Sequence, residues 1–257
     1  MSAKIVSERA RLVVAHDGYK PAPRTAAVLL SGLDSAAALH WALDRYAPVM
    51  AIGFDYSQAG AELAASQAIA ERRGVIWERH PIIGIGDRSN DAGRTEAGVS
   101  RAFVPARNGI LAWHAANLVA RRFPGGRVDI ILGCNLDDAG AFPDCRSVFL
   151  AELDRNISMG LAGACDIRVR APWVYTRKAD VVAWAAMPGG LDGKLPLLRP
   201  KALEDIRFAV SCYRGDRCGA CDACQLRAQA FASAGIEDGT EAPPVVHGGD
   251  PQREVHP

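Results

Sequence analysis

Short apolar runs alternate with amphipathic stretches along most of the chain. Ala26 to Leu30 (AAVLL), Val49 to Phe54, Val128 to Cys134 and Ile167 to Ala171 are strand-length and nearly unbroken, the style of strands covered on both faces. Val75 to His80 is a further strand of more polar character. Helical spacing fills the intervals. It begins at Ala36, with Leu39, Leu43 and Tyr46 on one face and Pro48 as a stop, and returns over Glu62 to Arg73, which Gly74 closes. Arg107 to Arg122, Arg146 to Met159 and Lys178 to Ala186 complete the series. Parallel neighbours need crossover connections, so this β-α-β rhythm predicts an α/β fold with a doubly wound, mostly parallel five-stranded sheet.

The punctuation divides the chain further. Residues 1–24 read as an N-terminal extension, residues 25–186 as the α/β domain and residues 187–207 as a Pro/Gly-rich connection that breaks regular structure between Met187 and Pro200. Residues 208–236 form a small C-terminal helical unit, with a helix from about Asp222 to Ala234, and residues 237–257 a polar tail expected to be disordered. Residues 84–103, Gly-rich and polar, are expected to be disordered or to form a mobile loop over a site. No internal repeat is present.

Composition narrows the function classes. With 257 residues, 49% hydrophobic and 23% charged, the chain can bury a sizeable core, which excludes dominant disorder. A net charge of +1 supplies no sequence-wide field for a nucleic-acid backbone, so strong nucleic-acid binding is not expected. No stretch approaches the roughly 18 apolar residues of a membrane span, and the opening MSAKIVSERARLVV is too charged for a secretory signal. A cytoplasmic protein with no membrane contact is the expectation.

Four of the 7 cysteines crowd together near the C-terminus. Cys212, Cys218, Cys221 and Cys224 are spaced C-x5-C-x2-C-x2-C, and four thiolates around one tetrahedral ion are what structural zinc takes. An iron–sulfur cluster would accept the same four ligands, and Cys221 with Cys224 has redox-pair spacing that leaves the other two unexplained. Cys134, Cys145 and Cys165 lie apart.

A second constellation sits between the first strand and the first helix, in the turn Ser31-Gly32-Leu33-Asp34-Ser35. Small residues let a ligand approach the backbone, and a helix N-terminus offers N–H groups to a phosphate. Ser and Asp also serve there as ordinary N-caps. Neither a Walker P-loop nor a G-x-G-x-x-G fingerprint occurs. Polar groups recur at the strand exits, where open α/β sheets bind ligands: Asp55-Tyr56-Ser57-Gln58, Arg107-Asn108, Asp137-Asp138 and Asp144-Cys145-Arg146.

The turn, FDYSQ, VPARN, FPDCR, Lys178 in TRKAD and the ending SCYRGDRCGACDACQLRAQAF together resemble the 7-cyano-7-deazaguanine synthase family of PP-loop ATP pyrophosphatases. The resemblance runs in order from about Ala26 to Asp238. It implies an adenine-nucleotide α-hydrolase-like sheet and an ATP-dependent carbon–nitrogen ligase in queuosine biosynthesis. That ligase adenylates 7-carboxy-7-deazaguanine and converts it with ammonia to the nitrile. It further implies that Leu30, Ser31, Gly32, Leu33, Asp34, Ser35 and Ala36 surround the ATP phosphates with Mg²⁺, and that Asp55 and Tyr56 hold nucleotide. Asp34, Arg107 and Lys178 would be catalytic, Gln58, Asn108, Asp138, Asp144 and Arg146 would bind substrate, and the four cysteines would hold structural Zn²⁺. A homodimer is the implied assembly.

The chain departs from the family turn S-G-G-x-D-S by one glycine and carries Ala36 where a hydroxyl residue follows. An alternative reading is therefore a divergent paralogue that transfers the activated acyl group to another amine, conceivably on a protein, or a non-catalytic deazaguanine-binding or assembly protein.

Overall fold

The computed structural model describes residues 24–58, 60–85, 95–187, 199–215 and 217–239. Most of the predicted N-terminal extension and of the C-terminal tail lies outside them, as do the centres of the 84–103 loop and of the Pro/Gly-rich connection.

Five parallel strands form one sheet: β1 (Thr25–Leu29), β2 (Val49–Asp55), β3 (Ile76–Pro81), β4 (Arg127–Ile131) and β5 (Asp166–Arg170), in the order β3-β2-β1-β4-β5. The order reverses between β1 and β4, so the crevice at their C-terminal ends is the topological switch point of an open α/β sheet. The helices are α1 (Leu33–Leu43), α2 (Gly60–Arg72), α3 (Arg107–Arg122), the single turn α4 (Leu136–Ala139), α5 (Ser147–Gly160), α6 (Lys178–Ala185), α7 (Arg199–Phe208) and α8 (Asp222–Ala234). A 3₁₀ turn covers Pro143–Cys145. No helix among the described residues is long and apolar enough to cross a membrane.

Alternation along β1 shows how the two faces are filled. Ala26 and Val28 face a core built with α1, α2, α6, α7 and α8, whereas Ala27 and Leu29 face one built with α3 and α5. Ala36, Ala37 and Ala38 are fully buried, and residues this small let α1 lie close against its neighbours. Cys212, Cys221, Cys224 and Phe231 share the first core with Trp173 and Trp184. The cysteine unit thus has no hydrophobic core of its own and is packed onto the sheet domain.

Two segments add to the sequence reading. Arg199–Phe208 is a helix that opens at the end of the Met187–Pro200 break and runs through the rest of the connection read over residues 187–207. It is tied down by Asp205, wholly buried, which accepts from Arg73 Nε at 2.6 Å and meets His40 Nε2 at 2.7 Å, and by Ala202 and Ile206 in the core. Residues 95–103, expected to be disordered or mobile, make a turn in which Thr95 N donates to Val99 O at 2.8 Å. Ser100 N donates to Ala141 O at 3.0 Å, which pins this turn to the loop after β4.

Candidate active site

A cleft open to solvent lies over the C-terminal ends of β1, β2 and β4. One end is the turn into α1. Its N-cap is Gly32, Ser31 N donates to Ser35 Oγ at 2.8 Å, and that hydroxyl donates to Gly32 O at 2.8 Å. Gly133, just past β4, floors this end. A Cβ there would stand 2.6 Å from Ser35 N and 2.9 Å from the Asp34 carbonyl carbon, so only glycine lets the β4 exit pass so close beneath α1.

Lys178 enters from the first residue of α6. Its Nζ lies 2.8 Å from Asp34 Oδ2 and 3.5 Å from Asp138 Oδ1. Burial would lower the lysine pKa, but Asp138 and Asp34 outweigh it and raise it, so the ammonium stays charged. Burial pushes the Asp138 carboxyl up to about 6 against the pull of Lys178. Asn135 fixes Asp138 twice, accepting from its N–H at 2.9 Å and donating Nδ2 to Oδ2 at 2.7 Å. Asp137 caps α6, accepting from Lys178 N at 2.7 Å. Asp34 Oδ1 is buried without a hydrogen-bond partner among the described residues. A buried, unpaired carboxylate oxygen on a residue that lines the cleft fits a bound cation.

The other end is more apolar. Phe54, Tyr56, Leu111 and Phe142 supply apolar wall, and Arg107 NH1 donates to the Tyr56 hydroxyl at 3.2 Å across the opening. Each of these two residues adjoins a strained non-glycine position, Ser57 at φ 70° and Ala106 at φ 57°, a cost that ordinarily persists where function fixes the backbone. Asn108 points Nδ2 at Cys145 Sγ, 3.2 Å away, and at Cys134 Sγ, 3.7 Å away. The hydrogen bond with Cys145, together with burial, raises the Cys134 pKa, so Cys134 stays a neutral thiol.

The four clustered cysteines bring their sulfurs within 4.8 Å of one another and could hold a metal ion. Cys212 Sγ accepts from the N–H groups of Arg214 and Cys218, both at 3.4 Å, and Cys218 Sγ from that of Cys221 at 3.4 Å. Donation from the backbone N–H groups of Ala220 and Cys221 lowers the Cys218 pKa to about 6, toward the thiolate that a metal takes.

A family model described as queuosine biosynthesis protein QueC matches residues 25–235. The chain belongs to the QueC family. Among curated QueC-family relatives, the 7-cyano-7-deazaguanine synthase of Laribacter hongkongensis is 36% identical over 234 residues, covering 84% of this chain and 93% of that protein. Those of Thiobacillus denitrificans and Pseudomonas aeruginosa are each 34% identical, cover 84% of this chain and are themselves covered to 96% and 97%. The solved U34-tRNA thiolase NcsA from Methanococcus maripaludis, with its 4Fe–4S cluster, is similar at 16% identity over 91% of this chain and 79% of its own, with a TM-score of 0.40. A likeness at that level bears on neither the metal nor the reaction.

Within this QueC-family cleft the structure assembles Leu30, Ser31, Gly32, Asp34 and Ser35 from the turn. Tyr56, Gln58, Arg107, Asn108, Asp138 and Lys178 join them from the other strand exits. Leu33 and Ala36 belong to the same turn, but their side chains point into the core. Asp55 is drawn aside into an ion pair with Arg79, whose hydrogen bond lowers its pKa. Asp144 acts from behind, accepting from Asn108 N at 2.9 Å, and Arg146 reaches Ala139 O at 3.2 Å on the outer side of the loop. Further lining residues, among them Glu62, Gly133, Ser211 and Tyr213, were not among the predicted site residues. Ser211 and Tyr213 flank Cys212 in a segment whose cysteines drew all the weight. Glu62 stands in the first turn of α2, where an acid is ordinary helix-end chemistry.

Proposed function

We propose that the chain is an ATP-dependent ligase that adenylates the carboxylate of 7-carboxy-7-deazaguanine and converts it with ammonia into 7-cyano-7-deazaguanine. The observation that carries this reading is the Lys178–Asp34–Asp138 cluster beside the turn into α1, in a chain whose family members bear that synthase name.

A carboxylate becomes electrophilic once one of its oxygens is a good leaving group. In the first half-reaction a substrate oxygen attacks the α-phosphorus of ATP and pyrophosphate leaves. The N-terminus of α1 holds the phosphates, and the Lys178 ammonium, oriented by Asp34 and Asp138, stabilises charge as it builds on the transferred group. Ammonia then attacks the acyl carbon, AMP departs and a proton is lost, giving the amide. The amide oxygen repeats the attack on a second ATP, and loss of AMP with two protons leaves the nitrile. Arg107 and Tyr56 gate the ring-binding end, while Asn108, seated by Asp144, orients the ring edge. Asp34 Oδ1 would hold Mg²⁺, which neutralises phosphate charge when bound. The four cysteines would hold Zn²⁺ as a structural ion, because sulfurs this close suit one tetrahedral centre, whereas a four-iron cluster sets each sulfur on a separate iron and so farther apart.

The test is incubation with ATP, Mg²⁺, ammonium and 7-carboxy-7-deazaguanine, followed by mass spectrometry. Stoichiometric AMP and the nitrile are expected. Absence of AMP at saturating substrate would overturn the reading.

A further inference from the structure

The cysteine cluster and the phosphate turn meet through one residue. Cys212 is buried with its sulfur beside those of Cys218, Cys221 and Cys224, whereas its neighbours on either side, Ser211 and Tyr213, line the cleft. Alternate side chains of this short segment therefore lie on opposite sides, and it serves both places. Ser211 Oγ accepts from Leu33 N at 3.1 Å, although 178 positions separate the two residues. The same hydroxyl lies 2.6 Å from where a Cβ on Gly32 would stand.

Leu33 opens α1, and its N–H is one of the helix-end donors that lack an intrahelical partner. Ser35 already braces the turn from inside through Ser31 N and Gly32 O. Ser211 braces it from outside. A turn with one glycine fewer than the family pattern has less backbone to shape its own cradle, and an external hydroxyl anchored beside a metal ligand fixes what remains.

We propose that Ser211 is a positioning residue through which the four-cysteine metal unit sets the shape of the Ser31–Ser35 turn for phosphate. The inference rests on the ATP reading above. Ser211 grips backbone at the turn and touches no reacting atom, so its loss weakens nucleotide binding more than it slows chemistry.

The experiment compares wild type, Ser211→Ala and Ser211→Thr as full chains. It measures metal content, the KM for ATP, kcat, and amide hydrogen exchange over residues 31–36 without nucleotide. Removing one net hydrogen bond is expected to raise the KM of Ser211→Ala about threefold to tenfold with kcat within about twofold. Exchange at the turn should quicken, metal content should stay at the wild-type level, and Ser211→Thr should behave as wild type. Unchanged KM and exchange in Ser211→Ala overturn the proposal. Equal losses in both variants overturn it too, because packing and not the hydroxyl would then matter, and tighter ATP binding by Ser211→Ala would make Ser211 a competitor for phosphate. If wild type consumes no ATP the functional reading falls, and the exchange comparison still decides whether Ser211 holds the turn.

Discussion

The two edges of the sheet handle buried charge in opposite ways. At the N-terminal edge Asp129, with no exposed surface, accepts from Arg24 Nε at 2.5 Å, the Tyr46 hydroxyl at 2.8 Å and Arg170 Nε at 3.2 Å. Arg24 also reaches Asp166 at 2.7 Å and two backbone carbonyls. Both carboxylate oxygens and the guanidinium have partners. At the C-terminal edge Lys178, Asp34 and Asp138 crowd together beside an open cleft, Asp34 Oδ1 has no hydrogen-bond partner among the described residues, and Asp138 is shifted to about 6. The first network is complete and serves the fold. The second is incomplete, and incompleteness at a cleft is where ligand chemistry enters.

Paired substitutions break the comparison most sharply. Lys178→Met is expected to lower kcat for AMP formation by about 10²–10³-fold, the range for losing one preorganised charge-stabilising donor, with little change in thermal midpoint. Asp129→Ala is expected to cost about 3–5 kcal/mol in denaturant unfolding, because Arg24 is left buried without its main counter-charge. The folded fraction of that variant should keep its activity. If Lys178→Met proved the more damaging to stability, the division between a structural and a functional edge would dissolve.

Metal removal tests a third region against these two. Cys212, Cys221 and Cys224 share a core with Trp173 and Trp184, so chelation should loosen α8 and the face beneath it while leaving the Arg24–Asp129 network in place. Elemental analysis should find one zinc per chain. Hydrogen exchange should rise in residues 209–235 before it rises in β4. Simultaneous exchange in both would show that the metal supports the whole domain.

Much of this contrast was legible in the sequence, and the illegible part has a physical pattern. β-α-β rhythm needs only local periodicity, so α3 over Arg107–Arg122 and α8 over Asp222–Ala234 match the spacing read from the chain. The cleft residues at strand exits could be found because topology sends every parallel strand end to the same edge. Helix α7 could not, since Pro200 and the weak local pattern speak against it and its support comes from His40 on α1 and Arg73 just past α2. Asp144 and Arg146 stand in the same motif as Cys145, yet one backs Asn108 and the other faces outward, a difference of side-chain direction that spacing does not carry. Ser211 was hidden for the same reason.

A smaller effect sharpens the functional edge through pH. Asp138 has a folded pKa of about 6, above its ordinary 3.8. Between those values the folded state binds more protons than the unfolded one, so this group's contribution to stability falls as pH rises from about 4 to 6. Asp138→Asn should flatten that slope in unfolding curves taken across the same window. Activity should move the other way, rising as Asp138 ionises and orients Lys178. A profile in Asp138→Asn that keeps the same inflection would assign it to another group.

The smallest expected effect concerns the thiols beside Asn108. Cys145 and Cys134 are both buried, and Asn108 Nδ2 donates toward each of them. A nucleophilic cysteine wants a cation or a helix N-terminus to lower its pKa, whereas the neighbours of Cys134 include Asp138 and Asp144, whose negative charge acts in the opposite sense. Cys134 therefore lacks the surroundings of a covalent catalyst, and adenylation chemistry requires none. Cys145→Ser keeps an acceptor for Asn108 at similar volume, and kcat/KM is expected to stay within about threefold of wild type, the scale of one modest hydrogen-bond change. A loss beyond a hundredfold in a variant with the wild-type thermal midpoint would point to a thioester formed as the thiol displaces AMP from the activated acyl group, and the functional edge would then work by its sulfur as well as by its lysine.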